Sequence, residues 1–521
     1  MRRETAFEAG LAVLLVAAAG LAAVPFREEA LRRLTVPGVS WDAALHGLSG
    51  LDLFDDLRLL RPLDALGEVL SQHWWGPLFA LVSVPFHALF GRTLATAALP
   101  SFVAYLLAAP TAFFAGRRAL GRLAAFETVA LAVLTGVFVL RAPMLLETSA
   151  WIMLESLGGL LAVAALGLFA GPESARARRA AFALGAALVF LKVHYGAFAL
   201  VTLGVTAWRR EEPRVRGALR AAAARALGPK AWFALLGVAG AFAAGRLLLE
   251  TSGGDALARR LPSVGNVLWG TFVLSLLFAL VRREAWAEVW RAAPPALRDF
   301  ALWGLAPVGA WCLDPANVRG WYRQIFLHTD APFRPLVQLA AFVGFLRGDY
   351  ALAALPFGLV LAGLALALVL PGSAGRRTLA AFATWPVLLM SLSRFPAEAR
   401  FLGCLAPAFF AAAAAGLVAL AARLPRSAGR ATLLAAVTAL AATLVSHEAG
   451  WRREADARAT YRYPYDEIGR AAVAAALATA PATGPVRIVL PAEPPVWPTV
   501  RLAIRLVRPD VPPAHVSVET R

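Results

Sequence analysis

Four short stretches hold side chains able to do chemistry at an apolar surface. The first reads Trp41-Asp42-Ala43-Ala44-Leu45-His46, passes through Asp55-Asp56-Leu57-Arg58, and ends at His73-Trp74-Trp75-Gly76-Pro77-Leu78. A poorly solvated carboxylate at Asp42, its pKa raised, suits a general base that takes a proton from an attacking hydroxyl. His46 lies one helical turn on, on the same face, as a ligand or a hydrogen-bond partner. Asp42 also reads as a helix N-cap, since an apolar helical pattern follows it.

The second stretch is Met153-Leu154-Glu155-Ser156, where Glu155 opens a helix and complements its dipole; Glu147 is a weaker acid upstream. In the third, Lys192-Val193-His194-Tyr195, the cation can hold a phosphate whose charge grows as it leaves, or can snorkel to the interface. The fourth runs Ser393-Arg394-Phe395-Pro396, then Glu398-Ala399-Arg400-Phe401. Arginine grips phosphate in a forked, bidentate manner, so Arg400, then Arg394, are expected to bind an anionic head group or to anchor at the interface.

The elements that must position these residues are membrane helices. Hydrophobic residues make up 59% of the 521 positions and charged ones 16%, against about a quarter charged in soluble domains. Apolar blocks approach the length of about 20 residues that crosses a bilayer as helix. The expected spans fall near 7–26, 93–115, 123–141, 150–170, 231–249, 265–281, 300–313, 350–371, 378–393, 401–422 and 431–446. A hairpin at 181–207 is too short for two full spans and reads as two half-length helices meeting at 192–196. The total is about thirteen.

Short Arg-rich connectors, Arg117 to Arg122, Arg176 to Arg179, Arg209 to Lys230 and Arg423 to Arg430, mark the cytoplasmic side. That puts the N-terminus inside, the loop 27–92 outside and the C-terminus outside. Parity then requires the apolar runs 76–90 and 334–347 to lie in the outer interface or to re-enter it. The Phe7–Phe26 stretch reads as an uncleaved first helix. Residues 1–446 are therefore expected to form the membrane domain and 447–521 a small outer α/β segment, with a helix over 461–480 and a strand at Val486 to Leu490.

The net charge of +18, confined to these loops, points to the lipid bilayer and not to nucleic acid. Cys312 and Cys404 read as small buried apolar residues. Seven histidines show no metal-ligand spacing, and no phosphate loop or dinucleotide fingerprint stands in a credible context.

The first loop resembles that of the GT-C glycosyltransferases, polytopic enzymes that use polyprenyl-phosphate sugars and include protein O-mannosyltransferases and lipid A aminoarabinose transferases. Asp42 stands where the family carries its acid, and Pro77-Leu78 where it carries part of a Pro-Pro-Leu stretch. Glu155 fits its acid in a Met/Leu-Leu-acid-Ser context, Lys192 with Tyr195 its Lys-Tyr pair, and Arg400-Phe401 its Arg-aromatic pair before a late proline-containing helix. Ala43 replaces the usual Glu and Gly76 the first proline, which leaves open a divalent metal and the acceptor contacts credited to that Glu.

The resemblance implies an all-α polytopic GT-C-like fold with outer-face juxtamembrane helices. It implies inverting transfer of a hexosyl or pentosyl group from a polyprenyl-phosphate sugar to an unidentified lipid, glycan or protein acceptor, at the outer face of a bacterial inner membrane. In that reading Asp42 and Glu155 are catalytic, and Arg400, Lys192 and Arg394 hold the donor phosphate. His46, His73, Glu147 and Tyr195 are auxiliary. Two rivals remain: a lipid-linked glycan transporter or flippase, with paired repeats and mid-bilayer charges, and a non-catalytic envelope assembly protein whose acids face away from any cavity.

Overall fold

The computed structural model of the chain describes residues 2–33, 41–73, 75–171, 174–227, 237, 240–241, 264–326, 334–351, 353–392, 397–459, 486–490, 502, 504–506 and 516–520. It is an α-helical polytopic membrane protein. Among the described residues three unbroken helices are long and apolar enough to cross a bilayer: Glu4–Leu31, Leu94–Leu120 and Arg426–Glu454. Bent helix pairs bring the number to as many as six. Shorter apolar helices, Leu154–Ala170 and Ala406–Ala421, lie deep in the bundle.

Helix ends follow local chemistry. Ser174 accepts from Ala177 N to start Ala175–Val189, and Pro62, Pro143 and Pro335 occupy first positions, where a missing N–H costs nothing. Arginines close several other ends. The last carbonyls of Leu154–Ala170 are taken by Arg118, which donates to Gly167 and Leu168, and by Arg210, which donates to Phe169. Arg376 does the same for Ala367, Leu370 and Pro371. Cations there oppose the negative ends of the helix dipoles.

The centre is the Ala406–Ala421 helix, in which every side chain except Leu420 is buried. Its run of alanines and Gly416 lets a neighbour approach to backbone distance. A Cβ on Gly416 would overlap the Gly363 carbonyl oxygen of the Ala354–Val369 helix. Small residues at such crossings are the usual source of close packing where lipid gives no hydrophobic drive.

Several expected boundaries shift. The loop expected at 142–149 is a short helix, Pro143–Ala150, bent by 63° from Ala125–Leu140. The hairpin is longer than 181–207: its arms are Ala175–Val189 and Val193–Arg210, breaking at Phe190-Leu191-Lys192. The alanine-rich sequence carries the first arm back through Arg176 and Arg179, which sequence reading left in a connector. The span at 300–313 contains a π-helical turn, Phe300–Leu305, just before Pro307, whose absent N–H breaks the regular ladder. The apolar runs 76–90 and 334–347 form the helices Leu78–Phe90 and Pro335–Phe345. The last long helix, Arg426–Ala459, runs through position 447, where composition changes. Val486–Leu490 is a strand, paired in parallel with Val516–Thr520. The expected helix 461–480 and nearly all of the span 231–249 lie outside the described residues.

Gly416→Val is expected to force the two central helices apart and lower stability by about 1–3 kcal/mol. Thermal unfolding of the detergent-solubilised protein checks this; an unchanged melting temperature would contradict the close crossing.

Candidate active site

At the end of the bundle away from these arginine caps, residues far apart in sequence converge. Asp42 lies in the first turn of the Trp41–Arg58 helix. Its Oδ2 accepts from Arg400 Nη1 at 2.5 Å, across 358 positions. Arg400 sits in a single 3-10 turn, Ala399–Leu402, and is also bonded through Nε to Glu398. That turn is held by Tyr350, whose hydroxyl donates to Ala399 O at 2.8 Å.

A second ion pair lies deeper. Glu155, near the start of Leu154–Ala170, is 2% exposed and Lys192 is 4% exposed. Glu155 Oε1 accepts from Lys192 Nζ at 3.5 Å and from the Tyr195 hydroxyl at 3.3 Å, while its buried Oε2 has no hydrogen-bond partner among the described residues. The ammonium of Lys192 also lies 5.2–5.3 Å from the ring centres of Trp75, Tyr195 and Phe401. Three aromatic rings around one desolvated cation offset part of its lost hydration. The two pairs act on one another, since both Lys192 and Arg400 bear on Asp42 and Glu155 bears on Arg400.

The first loop is clamped against the hairpin tip. Leu78 N donates to Phe190 O at 3.0 Å, and a Cβ on Gly76 would collide with that same carbonyl. This accounts for the glycine at the position where the resemblance expects proline: the backbones meet too closely for any side chain. Trp75, which sequence reading noted without assigning a role, stacks edge-on against His46, with ring centres 5.3 Å apart. His73 is drawn the other way. Its Nδ1 donates to Asn317 Oδ1 at 2.7 Å on the Pro315–Phe326 helix.

Asp42, Glu155, Lys192, Tyr195, Arg400 and His46 are thus gathered in one place. His73 is not bonded to them but borders the loop. Glu147 lies on the Pro143–Ala150 helix. Arg394 falls outside the described residues. Sequence reading passed over Tyr350, and it gave Trp75, Phe401 and Glu398 no role.

Electrostatics corrects one expectation. Burial by itself raises the pKa of Asp42, but Arg400, His46 and Lys192 together outweigh it and hold the carboxyl below its ordinary range. Asp42 is therefore an ionised carboxylate and, while paired, a weaker base than poor solvation alone predicts. Burial dominates at His46 and lowers its pKa to about 4 against the pull of Asp42 and Glu155; the imidazole is uncharged near neutrality.

Asp42 and Glu155 each face a cation, and among the described residues no three potential ligands gather around a metal. The described residues do not form a metal site. A narrow apolar cleft adjoins the site through Tyr350. It is walled by Phe138, Val360, Phe410 and Leu444, with Arg141 and Trp451 at its edge.

The sequence matches no protein-family profile and no curated protein. Structures do match. ArnT from Cupriavidus metallidurans bound to undecaprenyl phosphate is 15% identical with a TM-score of 0.51, over 98% of this chain and 90% of that one. The archaeal oligosaccharyltransferase AglB from Archaeoglobus fulgidus, in complex with an inhibitory peptide and a dolichol-phosphate, is 14% identical with a TM-score of 0.47, over 92% of this chain and 59% of that one. The likeness to ArnT is one of fold.

Two measurements follow. Folding keeps His46 neutral, whereas the unfolded imidazole takes a proton below about 6.5. Stability is therefore lost as pH falls from 6.5 towards about 4, by about 2 kcal/mol at pH 5. His46→Phe is expected to flatten that slope of melting temperature against pH. Lys192→Met leaves Glu155 buried without its cation and is expected to cost about 3–5 kcal/mol. The double variant with Glu155→Gln should recover much of that loss, and no recovery would mean the two side chains are not coupled.

Proposed function

We propose that this chain is a glycosyltransferase that moves a sugar from a polyprenyl-phosphate donor to an acceptor hydroxyl at the outer face of a bacterial inner membrane. The observation that carries the reading is the convergence of two carboxylates and two cations at one end of an apolar bundle. Displacing a sugar from phosphate needs both: an acid-base group at the incoming oxygen and fixed positive charge at the departing one.

In this reading the acceptor oxygen attacks the anomeric carbon from the face opposite the phosphate. The bond from that carbon to the phosphate oxygen breaks, and configuration inverts. The hydroxyl proton passes to a carboxylate, Asp42, with the unpartnered Oε2 of Glu155 positioning the acceptor. The polyprenyl phosphate leaves with the bonding electrons, its charge taken up by Arg400 and Lys192. Arg400 cannot serve Asp42 and a phosphate equally. Donor binding draws the guanidinium towards the phosphate, and Asp42, losing its main counter-ion, becomes the stronger base when the substrate is in place. The first loop, 27–92, is then extracytoplasmic, residues 1–446 form the catalytic membrane domain, and the segment from 447 lies on the same outer side.

Fold likeness and the sequence resemblance support transfer over the transporter and assembly-protein readings, because the acids cluster with the cations at one end. The test is transfer of labelled sugar from polyprenyl phosphate in membranes holding the protein. Asp42→Asn is expected to lower the rate at least a hundredfold, roughly the worth of a general base. Arg400→Lys keeps charge but loses the fork, and should raise the donor KM about tenfold. Full activity in Asp42→Asn removes that residue from the chemistry, and lipid movement without transfer favours the flippase.

A further inference from the structure

Leu502 and Arg505 pack onto the helix that carries Asp42. Leu502 and Ile504 are buried. A Cβ on Gly47 would lie 3.2 Å from Leu502 Cδ2 and 3.1 Å from Ile152 Cδ1, so the helix face at Gly47 is covered from both sides. Arg505 is 3% exposed and reaches two carboxylates of the same helix. Its Nη2 donates to Asp52 Oδ1 and to Asp55 Oδ2, each at 2.8 Å, and its Nε donates to Asp52 Oδ1 at 3.1 Å. Arg92, just past the Leu78–Phe90 helix, donates to Asp55 Oδ2 at 2.6 Å and to the Arg505 carbonyl at 3.3 Å.

Arg92 and Arg505 thus join Asp52 and Asp55 in a compact network between remote parts of the chain, with Arg58 Nε 4.0 Å from Asp55 Oδ1 at its edge. Such a network adds little net stability over apolar packing, but removing one member leaves a desolvated charge alone, so its geometry is enforced. Asp52 lies about three helical turns from Asp42 on one rigid rod. Whatever fixes the rotation and height of the rod at Asp52 and Asp55 also fixes where Asp42 meets Arg400.

We propose that the C-terminal segment around Arg505 is a positioning element of the active site, locking the Trp41–Arg58 helix so that Asp42 is presented to Arg400. Its kinetic consequence rests on the transferase reading; its structural consequence does not. In the full-length protein in lipid nanodiscs, Arg505→Gln should speed amide hydrogen exchange across 41–58 by about tenfold or more. Exchange in the Ala406–Ala421 helix should stay as in the wild type. Arg505→Lys, which keeps the charge, should restore most of the protection. Where Arg505→Gln does not accumulate, Asp52→Asn is read the same way.

The acid limb of the rate–pH profile supplies a readout that mere loss of folded protein would not move. Paired with Arg400 and faced by His46 and Lys192, Asp42 titrates low; once the helix is loosened, that limb moves to higher pH in Arg505→Gln. Unchanged exchange over 41–58, or faster exchange spread evenly over the whole protein, overturns the proposal. Faster exchange confined to 41–58 in a protein that transfers no sugar supports the clamp and counts only against the transferase reading.

Discussion

Arg400 and Asp42 are separated by most of the chain and meet at 2.5 Å, and much of the surrounding structure can be followed outward from that meeting. In a protein this apolar a carboxylate and a guanidinium that lose most of their water need each other, because neither can be left alone at tolerable cost. The pair fixes the first-loop helix against the turn at Ala399–Leu402. That turn in turn rests on Tyr350, and its Phe401 closes one side of the ring of aromatics around Lys192. The second pair, Glu155 with Lys192, obeys the same constraint at greater depth and adds hydroxyl and aromatic partners to meet it.

The two ends of the bundle use their cations differently. At one end arginines terminate helices, as Arg118, Arg210 and Arg376 do, and each donates to carbonyls that the helix itself cannot satisfy. These are structural uses and leave the guanidinium committed to backbone. At the other end Arg400 and Lys192 face carboxylates.

Fixing the site required backbone to come unusually close to backbone. Gly76 lets the first loop touch the carbonyl at the hairpin tip, which brings Trp75 over Lys192 and against His46. The break at Phe190–Lys192 exists because the hairpin must turn there, and the same break frees the lysine side chain to point at Glu155. A helix break inside a membrane protein is costly unless neighbouring backbone and side chains satisfy the exposed polar groups. Here Leu78 N does so for the Phe190 carbonyl.

Composition and block length were sufficient to establish a polytopic helical membrane protein, because the bilayer imposes length and apolarity on each span independently of its neighbours. The unusual stretches were also legible. The runs 76–90 and 334–347 conflicted with charge parity, and the hairpin was too short for two spans. Asp42, Glu155, Lys192 and Arg400 stood out as charged residues beside apolar blocks in motifs that resemble those of the GT-C glycosyltransferases. What sequence could not supply was who meets whom. The direction of the Asp42 pKa shift depends on Arg400 being nearer than water is absent, and solvation alone predicted the wrong sign. The commitment of His73 to Asn317, and the grip of Arg505 on Asp52 and Asp55, are likewise contacts between remote segments. Local pattern encodes which residues must find a partner; only the packing of the helices decides which partner is within reach.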